Sequence, residues 1–202
     1  MIESYRTLQK PSEGLFRDRN SRFLAFAYPV QTVDEVNEIV GSLRKKFHDA
    51  RHHCYAYRIN PEKEQFRMND DGEPSGTAGK PIYNQIVANE LFNVLIVVVR
   101  YFGGTLLGTG GLINAYKSAS MDALSKASVI EKFPENRYLL KFEYEKLNVV
   151  LKILKEEKLV AADPEYGVAC LLYVSIPKKI SEQILNRLNA TGGIQIEPVD
   201  SD

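Results

Sequence analysis

Apolar positions recur along the first two thirds of the chain in two rhythms. Alternation by two marks half-buried strands, and steps of three and four mark one face of a helix. From Glu13 to Val30, the segment EGLFRDRNSRFLAFAYPV reads as a hairpin with Arg19-Asn20 at its turn. Thr32 then precedes Asp34 and Glu35, which suits an N-cap and an acidic first turn. Val33, Val36, Val40, Leu43 and Phe47 follow as one apolar stripe. Strands are expected from His53 to Asn60 and from Glu64 to Met68, and a short helix from Gly79 to about Leu91, with Pro81 in a tolerated first-turn position. The unbroken run Val94 to Val99 inside Asn93 to Phe102 predicts a central strand buried on both faces. Leu112, Ala115, Tyr116, Ala119, Ala123 and Ala127 define a second helical stripe, small enough to lie close on a sheet.

The remainder has a pattern of its own. Tyr138 to Tyr144 alternates as a strand, Leu147 to Glu157 reads as a helix, and Leu159 to Tyr166 and Val168 to Ile176 as two strands across a Tyr166-Gly167 turn. A helix from Lys178 to Ala190 and a strand from Gly193 to Pro198 complete a βαββαβ order, which is ferredoxin-like. Phe133-Pro134-Glu135-Asn136 is the natural linker. The expected fold class is therefore α+β, in two domains over residues 1–131 and 136–202. A chain of 202 residues is long enough for each to bury a core.

Composition narrows the functional classes. Hydrophobic residues are 44 % and charged residues 26 %, typical of a globular protein, and the formal net charge is zero. A global attraction to nucleic acid is thereby excluded, so any such contact must come from a local patch. Cys54 and Cys170 lie far apart and imply no disulfide framework, which fits a reducing compartment. MIESYRTLQK lacks the pattern of a signal peptide, and Val94 to Val99 is far too short to span a bilayer. A cytoplasmic location with no membrane partner is expected.

Seven of the 13 glycines fall between Gly76 and Gly111, in two loops that flank the apolar strand. Glycine permits positive φ and close backbone approach, and loops of this kind on a rigid scaffold are where binding residues gather. The first loop offers Asp70, Asp71 and Glu73, then Ser75, Gly76, Thr77 and Lys80. Such carboxylates suit Mg²⁺, with hydroxyls and amides on a phosphate. The phosphate-loop motif fails, however, because Gly79-Lys80 is followed by Pro81 rather than Ser or Thr. The second loop follows Arg100 and Tyr101 with Gly103 and Gly104, and enters a helix at Gly110-Gly111. Free amides at that end suit an anion. It is not a dinucleotide fingerprint, since Ile113 replaces the required third glycine. Arg100 suits either an external phosphate or carboxylate or an ion pair with Asp70, Asp71 or Glu73 that ties the loops together.

Two further groups carry possible chemistry. His48, His52, His53 and Cys54 have zinc-compatible side chains, with His48 and His52 on one helix face, but the spacing lacks a second ligand pair. No convincing nucleophile and base emerge, so catalytic residues remain unassigned and neither a metal nor another cofactor is expected. Arg17, Arg19 and Arg22 share the first hairpin near Phe16 and Phe23, a basic and aromatic surface suited to RNA phosphates and bases.

SRFLAFAYPV, DARHHCYAYRIN, NDDGEPSGTAGKPI and NVLIVVVRYFGGTLLGTGGLINAY, in this order, resemble the IMPACT family, the YigZ-like proteins of bacteria. The resemblance covers nearly all of the first expected domain. It implies an N-terminal domain similar to the second domain of ribosomal protein S5 and a ferredoxin-like domain resembling one of elongation factors. Family members commonly carry arginine where this chain has Asn114, which removes a cation from the helix entrance. The resemblance also brings translation into view, because eukaryotic relatives regulate it by interfering with activation of a stress-responsive kinase. The expected function is a translation-associated binding or regulatory protein that contacts RNA or a ribosome-associated protein, without sequence readout of DNA. The alternative is an Mg²⁺ enzyme acting on a phosphorylated or nucleotide substrate through Asp70, Asp71 and Glu73, with Lys80 or Arg100 on phosphate.

Overall fold

The computed structural model of the chain describes residues 2–199. They divide into two compact units, the first ending at Lys132 and the second beginning at Phe133.

In the first unit, strands β1 (Tyr5–Leu8), β2 (Ser12–Asp18) and β3 (Ser21–Pro29) precede helix α1 (Val33–Lys46). Then come β4 (His52–Ile59), β5 (Gln65–Asn69), α2 (Gly79–Ala88), β6 (Val94–Tyr101), α3 (Gly108–Ser125) and β7 (Val129–Lys132). Five strands form an antiparallel sheet in the order β2-β3-β6-β4-β5. Its central strand β6 serves two cores at once. Val94, Ile96 and Val98 join α2 and α3 through Ile82, Ile86, Leu112 and Ala115. Leu95, Val97 and Val99 meet α1 through Val36, Val40 and Leu43. An apolar run without alternation is what burial on both faces demands. On the α2 and α3 side the sheet offers Ala25, Ala27, Cys54 and Ala56, whose small size lets the Ala115, Ala119 and Ala123 stripe of α3 approach closely.

Local rules account for most element ends. Thr32 caps α1 by accepting a hydrogen bond from the Glu35 backbone N–H at 3.2 Å, and Arg44, Lys45 and Lys46 occupy the last turn, where the helix dipole favours cations. Arg19 and Asn20 turn the β2-β3 hairpin with positive φ at both positions. A two-stranded ribbon of β1 and β7, absent from the sequence pattern, pairs Tyr5 with Lys132 and Leu8 with Val129. Its strands have four residues each, too few for periodicity to register.

The second unit runs β8 (Glu135–Glu143), α4 (Leu147–Glu156), β9 (Ala161–Glu165), β10 (Ala169–Pro177), α5 (Lys178–Ala190) and β11 (Ile194–Val199). Its strands lie in the antiparallel order β11-β8-β10-β9. Tyr138, Leu140 and Phe142 on β8 and Cys170, Leu172, Val174 and Ile176 on β10 pack on Val150, Ile153 and Leu154 of α4 and Ile184 and Leu188 of α5. No described helix is long and apolar enough to cross a membrane.

Candidate functional site

The acidic loop between β5 and α2 is closed by its own first carboxylate. Asp70 Oδ1 accepts hydrogen bonds from the Ala78 and Gly79 amides at 3.0 and 2.8 Å, and Oδ2 accepts one from the Gly76 amide at 2.8 Å. The amides of the α2 N-terminus are thus satisfied from within. A Cβ at Gly79 would come within 2.6 Å of the Asn69 backbone nitrogen, so only glycine fits there. Asp71 reaches a different neighbour. Its Oδ1 accepts from Arg44 Nη2 of α1 at 2.7 Å and its Oδ2 from the His53 amide of β4 at 2.6 Å.

Glu73 turns inward. Its Oε1 accepts from Arg100 Nη1 at 2.6 Å and from the Tyr116 hydroxyl at 2.7 Å, with the side chains of Glu73 and Arg100 only 3 % and 6 % exposed. Buried charges need this kind of pairing and hydrogen bonding. Arg100 Nε is buried without an acceptor among the described residues, and the guanidinium lies over two rings, 5.4 Å from the centre of Phe23 and 5.5 Å from that of Phe102. Cation–π attraction therefore supports the part of the cation that Glu73 does not reach. Of the three ion-pair partners open to Arg100 in the sequence, the structure selects Glu73.

Cys54 and His52 border this network. Cys54 Sγ lies 3.0 Å from the Asp70 carbonyl oxygen and 3.3 Å from the Tyr116 hydroxyl. Burial pushes its thiol pKa far above the ordinary value, and burial likewise pushes Tyr116 up, so neither is poised to ionise. His52 Nδ1 donates to the Asp71 carbonyl at 2.8 Å, since a carbonyl can only accept. That leaves Nε2 facing Glu73 Oε1 at 3.9 Å.

Two arrangements suggested by residue type are not formed. The Mg²⁺ reading needs Asp70, Asp71 and Glu73 to converge, whereas each carboxylate is drawn to a separate set of donors. Among the described residues no group of three or more His, Cys, Asp or Glu is placed to hold a metal ion. The zinc reading needs His48 and His52 on one helix, but α1 ends at Lys46 and His52 opens β4. His53 and Cys54 then go to opposite sides of the sheet by simple alternation.

The second loop lies against the tip of the arginine hairpin. The Gly103 amide donates to Ser21 Oγ at 3.1 Å, and Arg19 Nη1 donates to the Leu106 carbonyl at 3.3 Å. A Cβ at Gly103 would fall 2.2 Å from Asn20 C and Ser21 N, which makes that close approach possible only for glycine. Gly104, Thr109 and Gly110 are exposed, and Gly111 is half-buried at the start of α3.

Arg17 and Arg22 are directly opposed across the hairpin, while Arg19 stands apart at its tip. All three are exposed, and none takes part in an ion pair among the described residues. Arg22 stacks 4.8 Å over the ring of Tyr101, whose hydroxyl donates to Asp49 at 2.8 Å. Tyr101 thus faces the α1 side of the sheet, away from Arg100 and the acidic loop. Thr77 is buried, its hydroxyl donating to the Pro74 carbonyl at 2.6 Å, whereas Ser75 and Lys80 are exposed on the outside of the first loop. Sequence reasoning placed Tyr116 in the core without assigning it a partner. A tyrosine on an apolar helical face signals a hidden hydroxyl contact, but the pattern does not say with which group.

A family profile described as the Impact N-terminal domain matches residues 19–124, which span both loops and the hairpin from its turn onward, with β2 outside the match. A relative described as IMPACT family member YigZ, from Escherichia coli (strain K12), is 36 % identical over 90 % of this chain and 90 % of its own. The chain belongs to the IMPACT family. Among solved structures, a crystal structure of a hypothetical protein covers 100 % of both chains at 31 % identity with a TM-score of 0.76. A structure described as the two-domain translational regulator Yih1 is 25 % identical, covers 60 % of this chain and 47 % of its own, and has a TM-score of 0.37.

Proposed function

We propose that this IMPACT family protein is a translation-associated binding and regulatory protein, working in the cytoplasm, whose first unit contacts RNA through the arginine hairpin. Membership in the family supports the link to translation. The observation that carries the choice of RNA is the direct opposition of Arg17 and Arg22, with Arg19 at the tip and no ion pair on any of them among the described residues. Like charges facing each other across a strand pair are unfavourable by themselves and become favourable when an anion lies on them. A polyanion offers several phosphates at once, with counterion release as the driving term.

The first unit is read as similar to the second domain of ribosomal protein S5 and the second unit as ferredoxin-like. Its strand–helix–strand–strand–helix–strand succession and the order β11-β8-β10-β9 support the latter. The buried network around Glu73 is a brace for the binding loops in this reading, not a catalytic centre.

The test is RNA binding by the wild type and an Arg17→Ala, Arg19→Ala, Arg22→Ala variant across a salt series. The variant is expected to bind more weakly, with the slope of log affinity against log salt reduced by roughly one unit for each lost phosphate contact. Unchanged affinity and slope would reject the hairpin. Association with ribosomal proteins that survives nuclease digestion, without RNA binding, would turn the reading toward a protein partner.

A further inference from the structure

Phe102 is an exposed aromatic ring, 42 % accessible, at the start of the second loop. It is fixed from below and from behind. The guanidinium of Arg100 lies over its ring at 5.5 Å and is itself fixed by the buried contact with Glu73. The next residue, Gly103, is seated on the hairpin turn by its bond to Ser21 Oγ. A large apolar ring in this position loses little further freedom when it is covered, which favours its use as a contact. Leu106, 80 % exposed, extends the same loop beside Arg19.

We infer that Phe102 is a stacking platform for one unpaired base of single-stranded RNA, whose neighbouring phosphate falls on Arg19. The inference rests on the RNA reading above and names its mode. An aromatic face accepts any base, provided that the base is free of its duplex stack. Arg19 at the hairpin tip is bonded to the loop that carries the ring, while Arg17 and Arg22 share the face of Tyr101. An exposed ring beside a cation fits a single strand, because a duplex keeps its bases stacked away from such a ring. The Glu73–Arg100 pair acquires a role at the surface, since it holds the underside of the platform in place.

The chain contains no tryptophan, so Phe102→Trp installs a sole indole at the platform. Phe66→Trp provides the control, because Phe66 is an exposed ring on β5 at the opposite edge of the sheet from the hairpin strand β2. A twelve-nucleotide uridylate strand is expected to quench the indole fluorescence of the Phe102→Trp variant and leave that of Phe66→Trp unchanged, while a duplex of equal length leaves both unchanged. Phe102→Ala is expected to weaken uridylate binding roughly tenfold, with the salt slope of the wild type preserved because no phosphate contact is lost. Binding that depends on the hairpin arginines but neither quenches the Phe102→Trp variant nor responds to Phe102→Ala would overturn this inference and leave the RNA reading intact. Equal quenching by the duplex would overturn the single-strand mode, and absence of RNA binding by the wild type at low salt would overturn both readings.

Discussion

Glu73 Oε1 and Arg100 Nη1 meet at 2.6 Å although the two residues belong to a loop and to the far end of the central strand. The pair joins the acidic loop to the strand end from which the second loop departs, with Tyr116 of α3 as a third arm. Its geometry separates two costs. Burying both ions is expensive whether or not they pair, while removing one alone strands the other in a medium that solvates it poorly.

Arg100→Ala is therefore expected to lower unfolding stability by about 3–5 kcal/mol. A Glu73→Leu, Arg100→Met variant, which removes both charges and keeps much of the volume, should lose far less than the sum of the single changes. Urea unfolding of the wild type, Glu73→Leu, Arg100→Met and the double variant measures the non-additivity. Strict additivity would show that the two side chains do not interact.

Gly103 and Gly41 predict opposite outcomes for the same substitution. A Cβ at position 103 would meet the backbone of Asn20 and Ser21 at 2.2 Å, whereas at position 41, inside α1, nothing lies within 4 Å. Gly103→Ala should destabilise by about 1–3 kcal/mol as the hairpin turn and the loop are forced apart. Gly41→Ala should stabilise by roughly 0.5–1 kcal/mol through helix propensity. Thermal melts of the two variants test both signs.

The elements that a periodic pattern can express were legible before the fold was known. Thr32 announced α1, Val94 to Val99 announced a strand buried on both sides, and the helical stripe through Ala115 and Ala119 announced α3. The β1-β7 ribbon was not legible, because four-residue strands whose partners lie more than 120 residues away leave no local signature. The candidate site shows the same division. That Asp70, Glu73 and Arg100 sit in conformationally special loops could be read from the glycines. Which carboxylate Arg100 selects could not, since that depends on the side-chain alternation of β6, which turns Arg100 toward α3 and Tyr101 toward α1. His52 and His53 looked like ligands by type, and the strand that begins at His52 sends them to different neighbours.

His53 gives the protein an acid-sensitive element. Its ring is 8 % exposed and Nε2 has no partner among the described residues, so burial holds its pKa below the ordinary 6.5 despite the nearby Asp71 carboxylate, which acts in the opposite direction. Arg44 and His52 add to the lowering. The folded state thus binds the proton less readily than the unfolded chain. Its contribution is fully present above the unfolded value and is lost as pH falls through the depressed folded value. Urea unfolding of wild type and His53→Gln between about pH 8 and pH 5 should show a steeper loss for the wild type below roughly pH 6.5. Parallel curves would reject the assignment to His53.

Asp70 and Asp71 separate a structural loop from a metal site. Asp70 accepts three backbone N–H bonds, so Asp70→Asn replaces one accepting oxygen by an amide donor that faces donors. A loss of about 1–3 kcal/mol is expected from the unsatisfied amides. Asp71→Asn should cost less, because its partner Arg44 is half exposed and surface ion pairs contribute little. Millimolar Mg²⁺ should leave the melting temperature of the wild type unchanged, since a ligand that stabilises the native state must bind it and these oxygens already serve amides and a guanidinium. Calorimetric titration of Mg²⁺ into the wild type and into the Asp70→Asn, Asp71→Asn variant decides the matter. Tight binding that disappears in the variant would make the acidic loop a metal site and restore the enzyme reading.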